Sequence, residues 1–524
     1  MKRMQSSVMT SVIIITFVLI GSASAAPTNG GENANAAVSR GTAQSASPQS
    51  SKPAAQKDAD CGCEVKVPQD LLAVVNGVKV TVKDVDESLK DRVQELQNQV
   101  IEARKGQLEA QINTRLLEAE AKRLGIAPDA LLEREVSQRV KTPTDSEARA
   151  FYDQNKSRIQ GEFGEIKDQI ITYLKDQRQR DEAKRFAERL RIRAQVKLLA
   201  ASVTPPETEA DRSRVFATVN GKAVTSGDVE DALKPLIFSV QEQVYYLRKT
   251  ALDVKINDLL LAIEAKKRNI TSEALFDAEV VPRVKAITEE DARKFYDENK
   301  ERLQGTYDKL RPQIVEYLRN REQGKAAEAY ADQLRKGASV QVYLKLPEPP
   351  AFEIAIEDRP WRGGVNAAVT IVEFTDFECP SCAVTQPVLE EVSKEFGDKV
   401  KLVARSFPLD QHKHAFKAAE AAEAAREQGK YWEYSAILFK NQNALEVENL
   451  KQYASKLGLD RKRFDAALDS GKFSDQVKRD LADGDKIGVD STPTVFINGK
   501  RAREKSREAL KTAIEAALKD SGKK

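Results

Sequence analysis

The chain has 524 residues, too many for one ordinary core, so its length sets an expectation of three or four domains. Its 84 basic and 81 acidic residues leave a net charge of +3, which gives no ground for a nucleic-acid partner. Aromatic residues are 6% of the chain, so amphipathic helix should dominate, and four cysteines are too few for a disulfide scaffold.

Lys2 and Arg3 precede an apolar run from Val12 to Ile20, and Ala23-Ser24-Ala25 offers a small-residue cleavage site. Residues 1–25 therefore read as a signal peptide that would deliver the mature protein to a periplasm or similar disulfide-permissive compartment. Residues 26–70 read as a disordered tail, because the stretch to Asp60 has almost no large apolar side chains to bury. Within it stands Cys61-Gly62-Cys63, which has three readings: an accessory redox pair that reshuffles client disulfides, an inert bridge, or a cross-link between two copies that would make a homodimer.

Two internal repeats follow. Asn76-Gly77 recurs as Asn220-Gly221, Phe151-Tyr152 as Phe295-Tyr296, Tyr173-Leu174 as Tyr317-Leu318 and Leu190-Arg191 as Leu334-Arg335, always 144 residues apart. A constant offset over a whole domain length argues duplication, with bounds at 71–202 and 215–346 and a linker at 203–214. Each copy should open on a hairpin with an Asn-Gly turn and then start a helix capped by Thr81 with Asp84, or by Thr225 with Asp228. One helical face is expected through Val85, Leu89, Val93, Leu96 and Val100, and a second helix through Leu108, Ile112 and Leu116. Thr144 and Thr288 cap later helices, and Gln195–Leu199 and Val340–Leu344 read as closing strands.

Residues 347–524 carry the chemistry. A β-branched run from Ala368 to Phe374 leads into Cys379-Pro380-Ser381-Cys382, which opens a helical pattern. At a helix N-terminus the unpaired amides favour a thiolate on Cys379, and Pro380 costs nothing in a first turn. A zinc site would need a further ligand pair, and the chain's two histidines, His412 and His414, fit the start of a helix better than a metal. Strand, Cys-x-x-Cys, helix is a redox arrangement and needs neither metal nor other cofactor. Glu373 and Glu378 are the carboxylates near enough in sequence to oppose thiolate formation or move a proton.

From Phe352 onward the residues resemble the DsbA-like branch of the thioredoxin superfamily, through Val372 to Cys382, Phe407-Pro408-Leu409 to His412, and Gly488 to Gly499. The resemblance implies an α/β thioredoxin fold with a helical insertion between His414 and Asp483. It also implies Cys379 as nucleophile, Cys382 as resolving thiol, and a cis-proline at Pro493 after Thr492 that faces substrate. Ser381 departs from the histidine of strongly oxidising members, so the direction of catalysis stays open. The repeats resemble the SurA-type chaperone module, in the Val-Asn-Gly hairpin, Ala121–Ile126 and Phe151–Lys156 with their counterparts, but leave no room for a parvulin prolyl isomerase domain. Together these resemblances imply an exported thiol–disulfide oxidoreductase fed unfolded clients by two mainly helical modules and recharged by a membrane redox partner. The alternative is a non-enzymatic holdase with a vestigial redox domain.

Overall fold

The computed structural model describes residues 61–62, 70–159, 161–300 and 302–522; the expected signal peptide, the tail to Asp60 and Cys63 lie outside them. The first repeat runs β1 (Leu71–Val75), β2 (Val78–Thr81), α1 (Val82–Asp86), α2 (Lys90–Leu124), α3 (Pro128–Glu135), α4 (Asp145–Asn155), α5 (Phe163–Arg193) and β3 (Val196–Leu198). The second runs β4 (Val215–Val219), β5 (Lys222–Thr225), α6 (Ser226–Lys267), α7 (Ser272–Glu279), α8 (Glu289–Asn299), α9 (Tyr307–Lys336) and β6 (Val340–Val342).

Local chemistry accounts for the element starts. Asn76 and Gly77 hold φ of +48° and +86°, and Asn220 and Gly221 hold +50° and +81°, the paired left-handed conformations that a two-residue hairpin turn requires. The Thr81 hydroxyl accepts from the Asp84 amide while Asp84 Oδ2 accepts from the Thr81 amide at 2.8 Å, and Thr144 with Glu147 and Thr288 with Asp291 form the same reciprocal caps. The expected division of helices is corrected. No break separates Val100 from Leu108; the interruption comes at 87–89, and α2 then continues for 35 residues. Gly106 inside it costs only about 1 kcal/mol, which burial of Leu108 and Ile112 beside it outweighs.

The repeats are not self-contained over 71–202 and 215–346. β3 pairs with β4, and β6 pairs with β1, so each three-stranded sheet takes its hairpin from one copy and its third strand from the other. The physical reason is the open edge that each hairpin leaves on its first strand, which the other copy's closing strand fills. Two compact units result: 61–62 with 100–237 and 349–522, and 70–99 with 238–348. Equivalent ion pairs follow the exchange. Arg104 of the first copy meets Glu230 of the second at 2.6 Å in one unit, and Arg248 of the second meets Asp86 of the first at 2.6 Å in the other. The first unit's helical core gathers Leu108, Ile112 and Leu116 with Phe186, Leu190 and Phe216. Its counterpart in the second packs Leu72, Val75 and Val80 against Leu252, Ile256 and Leu260.

The C-terminal α/β domain runs β7 (Trp361–Gly363), β8 (Val369–Thr375), α10 (Pro380–Phe396) and β9 (Val400–Ser406), then α11 (Ala415–Arg426), α12 (Tyr431–Lys440), α13 (Val447–Lys456), α14 (Arg461–Asp469) and α15 (Ser474–Lys486). It closes with β10 (Thr494–Ile497), β11 (Lys500–Arg501) and α16 (Arg507–Ser521). The sheet order is β11-β10-β8-β9-β7, with β8 and β9 parallel and every other pair antiparallel. β8 and β9 are buried along nearly their whole length, which suits the apolar Val369, Ile371, Val372 and Phe374 of β8 and Val400, Leu402 and Val403 of β9 and also encloses Glu373 and Arg405. α10 and α16 share a core with the sheet through Leu389, Val392, Leu510 and Ile514, and α11 to α14 form a second core around small alanines.

Candidate active site

β8 ends at Thr375, and four residues later Cys379 is the N-cap of α10. The four-residue loop carries the chain from a buried strand to an exposed helix start. Cys379 and Cys382 are both free thiols. Cys379 is 7% exposed, and its Sγ lies 3.4 Å from the carbonyl oxygen of Thr492. The Thr492–Pro493 peptide bond is cis, and it precedes β10, whose Thr494 pairs with Phe374 of β8. Sheet pairing thus brings residues 113 apart in sequence to one sulfur. Pro380 and Ser381 stand exposed in the first turn.

Cys382 is fully buried, and desolvation pushes its thiol far up, reinforced by the charge of Glu373. Glu373, on β8, is itself 0% exposed, and burial raises its carboxyl to about 8. The Thr375 hydroxyl and the Arg362 guanidinium offset that burial only in part. A buried acid that titrates near neutrality beside a buried thiol can give or take the proton that the thiol exchanges. Glu378 is placed differently: its Oε2 accepts from the His414 amide at 2.7 Å, so it braces a loop.

The loop 407–414 meets the active-site loop through a side chain that the sequence did not single out. Asp376, 1% exposed, accepts from the Glu378 amide at 2.8 Å and the Leu409 amide at 2.8 Å, and its Oδ2 lies 2.7 Å from His412 Nδ1. Burial raises the Asp376 carboxyl, against the pull of these donors. His412 therefore stands before α11 and serves the loop, while His414 takes the N-cap position. Gln442 was missed as well, since a lone glutamine 63 residues from Cys379 carries no local signal.

Cys61 is elsewhere in the chain's chemistry. It is disulfide-bonded and 2% exposed. Gly62, at φ +59°, is so close to Pro205 that an added Cβ would stand 2.5 Å from that ring, with Arg104 behind. Cys61 is thus packed, not carried on an open tail, because only glycine lets the chain turn against Pro205. Among the described residues no group of three or more His, Cys, Asp or Glu side chains is placed to hold a metal, and no helix is long and apolar enough to cross a membrane.

Residues 356–516 match a family described as Thioredoxin, and together with the mixed sheet this makes the C-terminal segment a thioredoxin-like α/β domain behind a helical region. The chain is 39% identical over 168 residues to a Na(+)/H(+) antiporter NhaA 1 of Mycolicibacterium gilvum, covering 31% of this chain and 27% of that protein. It is 41% identical over 179 residues to a Na(+)/H(+) antiporter NhaA of Herminiimonas arsenicoxydans, covering 34% of this chain and 28% of that protein. The chain thus spans only 27% and 28% of the length of these two curated relatives. Among solved structures, oxidised BdbD from Bacillus subtilis is 27% identical, with 33% of this chain and all of that chain covered at a TM-score of 0.30.

Proposed function

We propose that the protein is an exported thiol–disulfide oxidoreductase that forms or reshuffles disulfides in unfolded clients held by its duplicated SurA-type modules. The observation that carries the reading is Cys379 at the head of α10, facing the Thr492 carbonyl, with buried Cys382 and Glu373 behind it. In the oxidising direction a client thiolate attacks Sγ of Cys379 in the disulfide form, and the Cys379–Cys382 bond breaks. Cys382 leaves with the electron pair and takes the proton that Glu373 holds. A second client thiolate then attacks the client sulfur of the mixed disulfide, which forms the client's bond and frees Cys379. In the reshuffling direction Cys379 attacks first, and Glu373 as carboxylate takes the proton from Cys382 if it must resolve.

Client holding is supported by exposed apolar side chains at matching places in the two copies, Leu198 and Leu199 in the first and Val342 and Tyr343 in the second. A membrane-bound redox partner recharges the dithiol. The test is turnover of a small dithiol peptide: Cys379→Ser should abolish it, and activity that survives this change would overturn the enzyme reading. Suppression of client aggregation that survives loss of both Cys379 and Cys382, with no detectable thiol turnover in the unaltered protein, would instead establish a holdase.

A further inference from the structure

Cys379 does not hold its position through its own helix alone. Its carbonyl already accepts from the Cys382 amide at 3.1 Å and the Ala383 amide at 3.3 Å, the bonds that start α10. A third donor arrives from the helical insertion. Gln442, in the turn after α12, places Nε2 2.8 Å from the Cys379 carbonyl and 2.9 Å from the Phe377 carbonyl. One amide group thereby grips a carbonyl two residues before the nucleophile and the nucleophile's own carbonyl.

The turn that presents Gln442 is itself fixed. Asn441 Nδ2 donates to the Ile437 carbonyl at 2.7 Å, and the Tyr453 hydroxyl donates to the Ala444 carbonyl at 2.9 Å. The adjoining contact is apolar: Phe377, 1% exposed, has its ring centroid 5.0 Å from that of Phe439 on α12. On the opposite side Asp376 and Glu378 tie the same loop to residues 409–414. The loop is therefore gripped from two directions, and the grip from the insertion is the one that ends on Cys379 itself.

We infer that Gln442 is a positioning residue through which the helical insertion sets the redox equilibrium of the Cys379–Cys382 pair. Its N–H dipole points at the carbonyl of Cys379, and beside a buried sulfur such a fixed dipole favours negative charge. Only the reduced pair can carry that charge, since a disulfide has no thiolate. Gln442 accordingly stabilises the reduced pair and makes the oxidised pair a stronger electron acceptor. This rests on the redox reading of the Cys379–Cys382 pair, and it adds that the insertion tunes that pair.

The experiment is equilibration of the full-length protein with reduced and oxidised glutathione, comparing unaltered protein, Gln442→Glu and Gln442→Met. Both substitutions keep the side-chain length and remove the donor, and Gln442→Glu adds a negative charge. The expected result is an equilibrium shifted towards the disulfide, about tenfold for Gln442→Glu, equal to roughly 30 mV, and less for Gln442→Met. Tryptophan fluorescence of the native state should not change. Equilibrium constants equal to that of the unaltered protein in both variants would overturn the inference, as would a shift in the opposite direction. A purely structural role would lower the denaturation midpoint and leave the glutathione equilibrium in place. Failure of the function reading is separable, because absent peptide turnover in unaltered protein would be seen without any variant.

Discussion

Glu373 and the two sulfurs differ in how far the sequence could place them. Cys379-Pro380-Ser381-Cys382 after an apolar run identifies the dithiol and its helix start from neighbours alone, and six residues upstream Glu373 stands inside the same strand. Its role depends on burial that no local pattern reveals. The carboxyl is held at about 8 against an ordinary 4.5, so between these values the unfolded chain loses a proton that the folded protein keeps. Stability should therefore fall as pH rises across that window, by up to about 5 kcal/mol for this one group, and stay lost above it. Glu373→Gln should flatten this slope in denaturation measured between pH 5 and pH 9. In the proposed mechanism the same change removes the proton carrier of Cys382, and it should slow resolution of a trapped mixed disulfide on the order of 10²-fold, read by quenched-flow alkylation. A slope and a resolution rate that both stay unchanged would remove Glu373 from the mechanism.

At the scale of elements, periodicity and caps located most helices, and tertiary burial decided where they join. α15 shows what pattern cannot supply. Its Asp480, 1% exposed, accepts from Arg359 Nε at 2.6 Å, Arg405 Nε at 2.9 Å and the Ser406 amide at 2.9 Å. The insertion is thereby locked to β9, immediately before the loop that meets Asp376. Asp480→Ala would leave the buried Arg405 guanidinium with Asp483 as its remaining carboxylate partner, and about 3 kcal/mol of stability should go with it. The protein's two tryptophans, Trp361 and Trp432, both lie in this domain, so their fluorescence in urea reads its unfolding without interference from the repeats. A midpoint equal to that of the unaltered protein would show that Arg405 finds other compensation.

Over the whole molecule the duplication is legible as a constant offset, but the exchange of strands is not. Each sheet needs both copies, so a fragment of residues 71–202 should show no cooperative unfolding by circular dichroism, whereas 71–346 should unfold cooperatively. Cooperative unfolding of the shorter fragment would mean that β3 can close its own copy's hairpin. By itself the sequence determined the dithiol, the repeat period, the Asn-Gly hairpins and the Thr caps, because each depends on residues within a few positions of one another. Only the tertiary structure decided the partners of β3 and β6, the burial of Glu373 and Cys382, the engagement of His412 by Asp376 and the reach of Gln442 to Cys379. These join residues tens to hundreds of positions apart, and their energy comes from desolvation and from which donor arrives at an open carbonyl or strand edge. Such terms exist only once the chain is packed.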